Sequence, residues 1–156
     1  MLNIQQNFEK YERILQECPL FGGVAAEELP LLLDCVGARE ICADKGCVLF
    51  LEVDAIDCIG IVLDGLVQLS RQDYDGKRSI VGHVTAGELF GESFAFAHQQ
   101  VLQVTVTAEQ KSRILLIDSR RLVSCCGNAC TFHNRVIFNL LRISANKNII
   151  LHQKLQ

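Results

Sequence analysis

Gly87, Gly91, Glu92 and Ser93 are the residues best suited to chemistry, within Gly87-Glu88-Leu89-Phe90-Gly91-Glu92-Ser93-Phe94-Ala95-Phe96-Ala97. Two glycines allow backbone angles closed to other residues and let a ligand approach the main chain. The peptide N–H groups opening the following helical turn have no intrahelical partners. Such a turn suits an anion. The small apolar residues after it predict a helix of about two turns. A second group, Cys125, Cys126, Cys130 and His133, offers thiolate and imidazole, which suit zinc or iron. Cys130 and His133 lie at i and i+3, whereas adjacent Cys125 and Cys126 point differently. At most three, Cys126, Cys130 and His133, converge, and the reading adopted is a packed turn of small residues with no metal.

The elements that must position these residues change character along the chain. Phe8, Tyr11, Ile14, Leu15 and Cys18 follow helical spacing from Ile4 to Cys18, and Pro19, Gly22 and Gly23 break it. A second helix is expected over Ala25 to Cys35, with Glu27 and Glu28 in its first turns. Alternating segments follow at Ala38–Cys42, Cys47–Leu51, Cys58–Leu63, Leu66–Arg71, Lys77–Val84, Val101–Ala108 and Ser112–Asp118, separated by turn residues. Short strands at this spacing predict an antiparallel sandwich or barrel. Asp118 and Ser119 supply an N-cap for a short helix through Val123, ended near Cys125-Cys126-Gly127-Asn128.

A long helix is expected from about Ala129 to the last residue. Val136, Leu140 and Ile143 form one apolar stripe. Ile137, Leu141, Ser144, Asn148, Leu151 and Leu155 form another at alternating steps of four and three. That second stripe reads as a heptad seam with Asn148 at an a-type position, where a polar residue selects a parallel pair in register. A homodimer through this seam is the expectation. The division is 1–36 helical cap, 37–118 β-roll and 119–156 short helix plus dimerisation helix, within one domain.

The 156 residues can bury a core unaided, and the net charge of −3 with paired basic residues at most gives no footprint for nucleic acid. No apolar run approaches membrane-span length and no signal peptide opens the chain, so a cytoplasmic protein without membrane contact is expected. Most of the eight cysteines are then read as core thiols rather than disulfides. Cys18, Cys35, Cys42 and Cys47 are too dispersed for an iron–sulfur site, and neither His83 nor His98 is read as a haem ligand.

Gly-Glu-Leu-Phe-Gly-Glu-Ser at 87–93 resembles the phosphate-binding cassette of the cyclic-nucleotide-binding domain of Crp/Fnr-type bacterial transcription regulators. Asp75-Gly76-Lys77-Arg78, Leu63-Asp64-Gly65-Leu66-Val67 and the long closing helix fall where that family has them. The resemblance implies a mainly β fold, an antiparallel jelly roll with flanking helices. It implies a homodimeric sensor that takes a small effector and acts on DNA only through a helix-turn-helix beyond this chain. No catalytic residues are expected. The alternatives are a cupin-like metal enzyme, which needs several converging histidines where only four occur, and the regulatory module of a kinase or channel.

In family members that bind cyclic AMP, a cassette glutamate accepts from the ribose hydroxyl and an Arg-Ser or Arg-Thr pair holds the phosphate. Gly91, Glu92 and Ser93 match the cassette, but ungapped counting puts Leu102 and Gln103 at the Arg-Ser position. A phosphate against leucine lacks its bidentate partner, so tight cyclic AMP binding is not expected. The same counting sets Lys147 and Asn148 where the helix meets the base. Lys147 restores a cation from the far side, favouring a smaller carboxylate or phenolate effector of otherwise unassigned identity.

Overall fold

A computed structural model describes residues 4–97, 101–124 and 131–154. The chain folds as two packed four-stranded antiparallel sheets, a jelly roll flanked by helices at both chain ends. One sheet has the order β1-β8-β3-β6, from Arg39–Ala43, Ser112–Asp118, Cys58–Asp64 and Leu89–Phe90. The other has β2-β7-β4-β5, from Val48–Phe50, Thr105–Ala108, Leu66–Gln72 and Arg78–Thr85.

Burial explains the sequence pattern strand by strand. Strand β3 is buried from Cys58 to Leu63 because it is central in its sheet with helices packed over it, and it reads as a continuous apolar run. Strand β5 is an edge strand whose Ile80 and Val81 are exposed. Side chains from both sheets, including Ile61 and Leu115 of one and Val67 and Val106 of the other, join Leu15, Leu20, Phe21, Leu29, Leu32 and Leu33 of the N-terminal segment in one core. Among the described residues, no helix is long and apolar enough to cross a membrane.

Several elements differ from expectation by more than a residue at their ends. Helix α1 covers Ile4–Glu17, but α2 begins at Leu29 rather than Ala25 and ends at Cys35. Pro30 sits in the first turn of α2, where its missing N–H costs nothing, so Glu27 and Glu28 precede the helix instead of lining its first turn. Val101–Ala108 is not one strand: Val101 makes a single bridge to Ala55, Leu102 exchanges backbone bonds with Val53 and Asp54, and the ladder starts at Thr105. Strand β6 was not expected, since two residues are too few to show alternation. The cassette helix α3, Glu92–Ala95, is one turn rather than two.

Helix α4 spans Ser119–Val123, and the Asp118 carboxylate accepts from the backbone N–H groups of Arg120 and Arg121 at 2.9 and 3.2 Å. Helix α5 runs Thr131–Lys154, 24 residues and about 36 Å. It is fastened near its start by Asn139, whose Nδ2 donates to the carbonyls of Leu20 and Gly22 at 3.0 and 2.9 Å. The Cys125–Cys126–Gly127–Asn128 end of α4 lies outside the described residues.

Candidate effector site

The cassette turns on two left-handed glycines, Gly87 with φ +88° and Gly91 with φ +87°. Between them Leu89 and Phe90 pair with Ile61 and Gly60 of β3. Gly60 makes this possible: a Cβ there would lie 2.1 Å from Phe90 Cζ, so the Phe90 ring occupies the space a side chain would need. The Glu88 carboxylate accepts from the Thr85 backbone N–H at 2.9 Å and contacts its hydroxyl, closing the turn into the cassette.

Glu92 opens α3 and is 4% exposed. Its Oε1 is paired with the Lys147 ammonium, which crosses from α5 and also donates to the Leu89 carbonyl at 3.3 Å. Glu92 Oε2 is buried with no hydrogen-bond partner among the described residues. Glu92 and Lys147, both placed at the site by the family resemblance, thus meet in an ion pair between the cassette and α5. A buried carboxylate needs such a partner, because leaving it uncompensated costs several kcal/mol.

The other expected site residues are placed less uniformly. Gly91 lies close under the sheet, where a Cβ would stand 3.0 Å from Ile56 Cδ1. Leu102 is 1% exposed and belongs to the hydrophobic core. Ser93, Gln103 and Asn148 carry exposed side chains. The Gln103 carbonyl accepts from Arg71 Nε at 3.4 Å, a cation the sequence reading missed. Arg71, Leu102 and Gln103 line a cavity of about 870 Å³ with Tyr74, Phe94 and Val53, a lining that does not include Lys147.

Along α5, Val136 and Leu140 are buried and Ile143 is partly buried against the barrel. In the second stripe Ile137 and Ser144 are partly buried while Leu141, Asn148 and Leu151 are exposed. Phe138, Ile149 and Ile150 add to the exposed apolar surface, and Leu155 lies outside the described residues. The two stripes therefore differ, one covered by the chain itself and one partly covered at Ile137 and Ser144 and exposed at Leu141, Asn148 and Leu151.

Of the metal candidates, Cys126 and Cys130 lie outside the described residues, as do Cys125 and His98. His133 is buried, with Nε2 3.1 Å from the Arg121 carbonyl and Nδ1 4.0 Å from Cys35 Sγ. Among the described residues no group of three or more metal-ligating side chains is assembled. The partnership of Cys35 with His133, 98 positions apart, left no sequence signal. Cys18 and Cys58 are core thiols, and burial pushes both up to about 11.

The described residues thus form a β-roll whose glycine-jointed acidic cassette faces helix α5. A family model described as the cyclic nucleotide-binding domain matches residues 40–128, over half of the chain, and the chain belongs to that family. Solved structures of similar fold include the N-terminal domain of a transcriptional regulator from Streptomyces coelicolor, at 24% identity and TM-score 0.69, covering 92% of this chain and 95% of that one. The sensor domain of the transcriptional regulator DNR from Pseudomonas aeruginosa aligns at 19% identity and TM-score 0.71, covering 96% and 94%. The catabolite activator protein of Thermus thermophilus aligns at 22% identity and TM-score 0.75, with 88% of this chain on 61% of that one. No curated protein sequence matches significantly.

Proposed function

We propose that this chain is the sensor and dimerisation part of a Crp/Fnr-type transcription regulator, a binding module rather than an enzyme. Its effector is a small anion other than cyclic AMP, held between the cassette and α5. The similar structures described as a transcriptional regulator's N-terminal domain, a regulator's sensor domain and a catabolite activator support the regulatory reading. The observation that carries the effector class is the ion pair from Lys147 of α5 to Glu92 of the cassette, with Leu102 in the core where a phosphate-binding arginine would be needed.

The chemistry of the pair constrains the ligand. An anion that draws Lys147 away leaves Glu92 buried and charged, so it must also bring a donor to Glu92, whose Oε2 already lacks one. A carboxylate or phenolate that also carries a hydroxyl or amino group meets both demands. Its binding shifts α5 relative to the β-roll, a population shift that a helix-turn-helix beyond α5 reads out on DNA. The exposed seam of α5 pairs two copies in parallel through Leu141, Asn148 and Leu151.

Calorimetric titration and thermal shift with cyclic AMP, cyclic GMP and a panel of hydroxylated and amino-bearing carboxylates and phenols test this reading. A member of the acid panel present at 100 times its Kd stabilises the fold by about 2.7 kcal/mol, a rise of several degrees in Tm. The cyclic nucleotides leave Tm unchanged. Tight cyclic AMP binding, or silence across the whole panel, defeats the assignment.

A further inference from the structure

We propose that Cys35 is a reactive thiol, activated by His133 as proton acceptor, and that it is a site of modification by hydroperoxides and soft electrophiles. This rests on neither the effector nor the dimer. Three elements build the site: Cys35 closes α2, Arg121 lies in α4 and His133 lies in the first turn of α5. The Arg121 carbonyl has only lone pairs to offer, so the contact with His133 Nε2 at 3.1 Å is an N–H donated by the ring. In the neutral imidazole this leaves Nδ1 with its lone pair, and Nδ1 faces Cys35 Sγ at 4.0 Å, the outer reach of a thiol hydrogen bond. A thiol beside an imidazole whose other nitrogen is held by an acceptor is the arrangement of an activated nucleophile.

Two further features favour the reaction. The C-terminal end of a helix disfavours an anion, but here Arg121 Nη2 donates to the Asp34 carbonyl at 3.3 Å, bringing a cation to the end of α2. Cys35 is partly exposed, so a small reagent can reach it. Cys18 and Cys58, by contrast, are buried.

With hydrogen peroxide, the Cys35 sulfur attacks one oxygen and the O–O bond breaks. The thiol proton passes to His133 Nδ1 and then to the departing hydroxide. The products are one sulfenic acid and one water, with sulfur oxidised and peroxide reduced. The lost S–H···N bond lies at the root of α5, so the modification acts where that helix joins the barrel.

The test is peptide-resolved mass spectrometry of the native chain. Iodoacetamide measures nucleophilicity, and dilute hydrogen peroxide followed by dimedone measures sulfenic acid. Cys42 and Cys47 are exposed thiols without an imidazole partner among the described residues and serve as references in the same molecule. Being less accessible, Cys35 would react more slowly than both if access alone governed the rate. At neutral pH it is expected to react about tenfold faster than either.

His133→Gln keeps a donor for the Arg121 carbonyl but removes the base at Nδ1, and is expected to drop Cys35 to the reference rate. A wild-type rate no greater than that of Cys42 and Cys47 overturns the proposal. So does a fast rate that survives His133→Gln in a variant with native circular dichroism. If that variant does not fold, the wild-type comparison decides alone.

Discussion

Lys147 is about half exposed and Glu92 almost wholly buried, so the two partners of the ion pair do not bear equal stakes. Removing the lysine strands a buried carboxylate, whereas removing the carboxylate frees a lysine to reach water. Lys147→Met is therefore expected to lower stability by about 1–3 kcal/mol in urea unfolding, with Glu92→Gln/Lys147→Met recovering most of the loss. Equal losses in the single lysine variant and the double variant would show that Glu92 does not depend on Lys147. The two residues were legible because the family resemblance assigns a role to the cassette glutamate and to a position on the closing helix, and counting along the chain lands on them. The contacts of Cys35 with His133 and of Arg71 with Gln103 were not, because they join segments that only the folded topology brings together.

Among elements, the cassette is held less by its own helix, a single turn, than by the two-residue strand before it. Gly60→Ala would drive a methyl into the Phe90 ring. The expected cost is about 1–3 kcal/mol, read as a lower urea midpoint, with a weakened effector response because Phe90 adjoins Gly91. Leu102→Ala removes a core side chain and is expected to cost about 2–5 kcal/mol by the same measurement, without loosening any anion contact. In the turn after β2, Val53 is held at φ +70°, a region costly for a β-branched residue. Val53→Gly should raise stability on the order of 1 kcal/mol, and a loss there would mean the turn is not strained. Strand patterning and the Asp118 cap were readable in the sequence. The start of α2 was misplaced because glutamates suit a helix start as well as the residues before one, and Pro30 decided between them.

For the whole molecule, the two buried thiols tie stability to alkaline pH. Cys18 and Cys58 ionise near 11 in the fold against an ordinary value of 9.0. Between those values the unfolded chain has released protons that the folded chain keeps, so unfolding becomes easier as pH rises. The contribution is complete below pH 9 and lost by about pH 11, on the order of 2 kcal/mol for each thiol. A Cys18→Ala/Cys58→Ala chain should show a flatter stability profile from pH 9 to 11; an unchanged profile would refute the assignment. At this scale an antiparallel sandwich or barrel was legible because turn residues punctuate the strands regularly, the family resemblance narrowed it to a jelly roll, and a second stripe on α5 was legible because its two apolar periods do not fit one face. That stripe predicts a dimer in light scattering and a monomer for Leu141→Glu.

Helix α5 packs on the rest of the chain through Val136, Asn139, Leu140 and Ile143, reaches the cassette at Lys147, and is exposed at every described position from Asn148 to Gln153. Mechanically, Lys147 is the last described point at which the chain itself pins this rod, with roughly 10 Å of helix beyond it. Whatever tips the rod at that pivot is magnified at the tip, so a displacement too slight to unsettle the barrel can still swing anything attached to the far end through a useful arc.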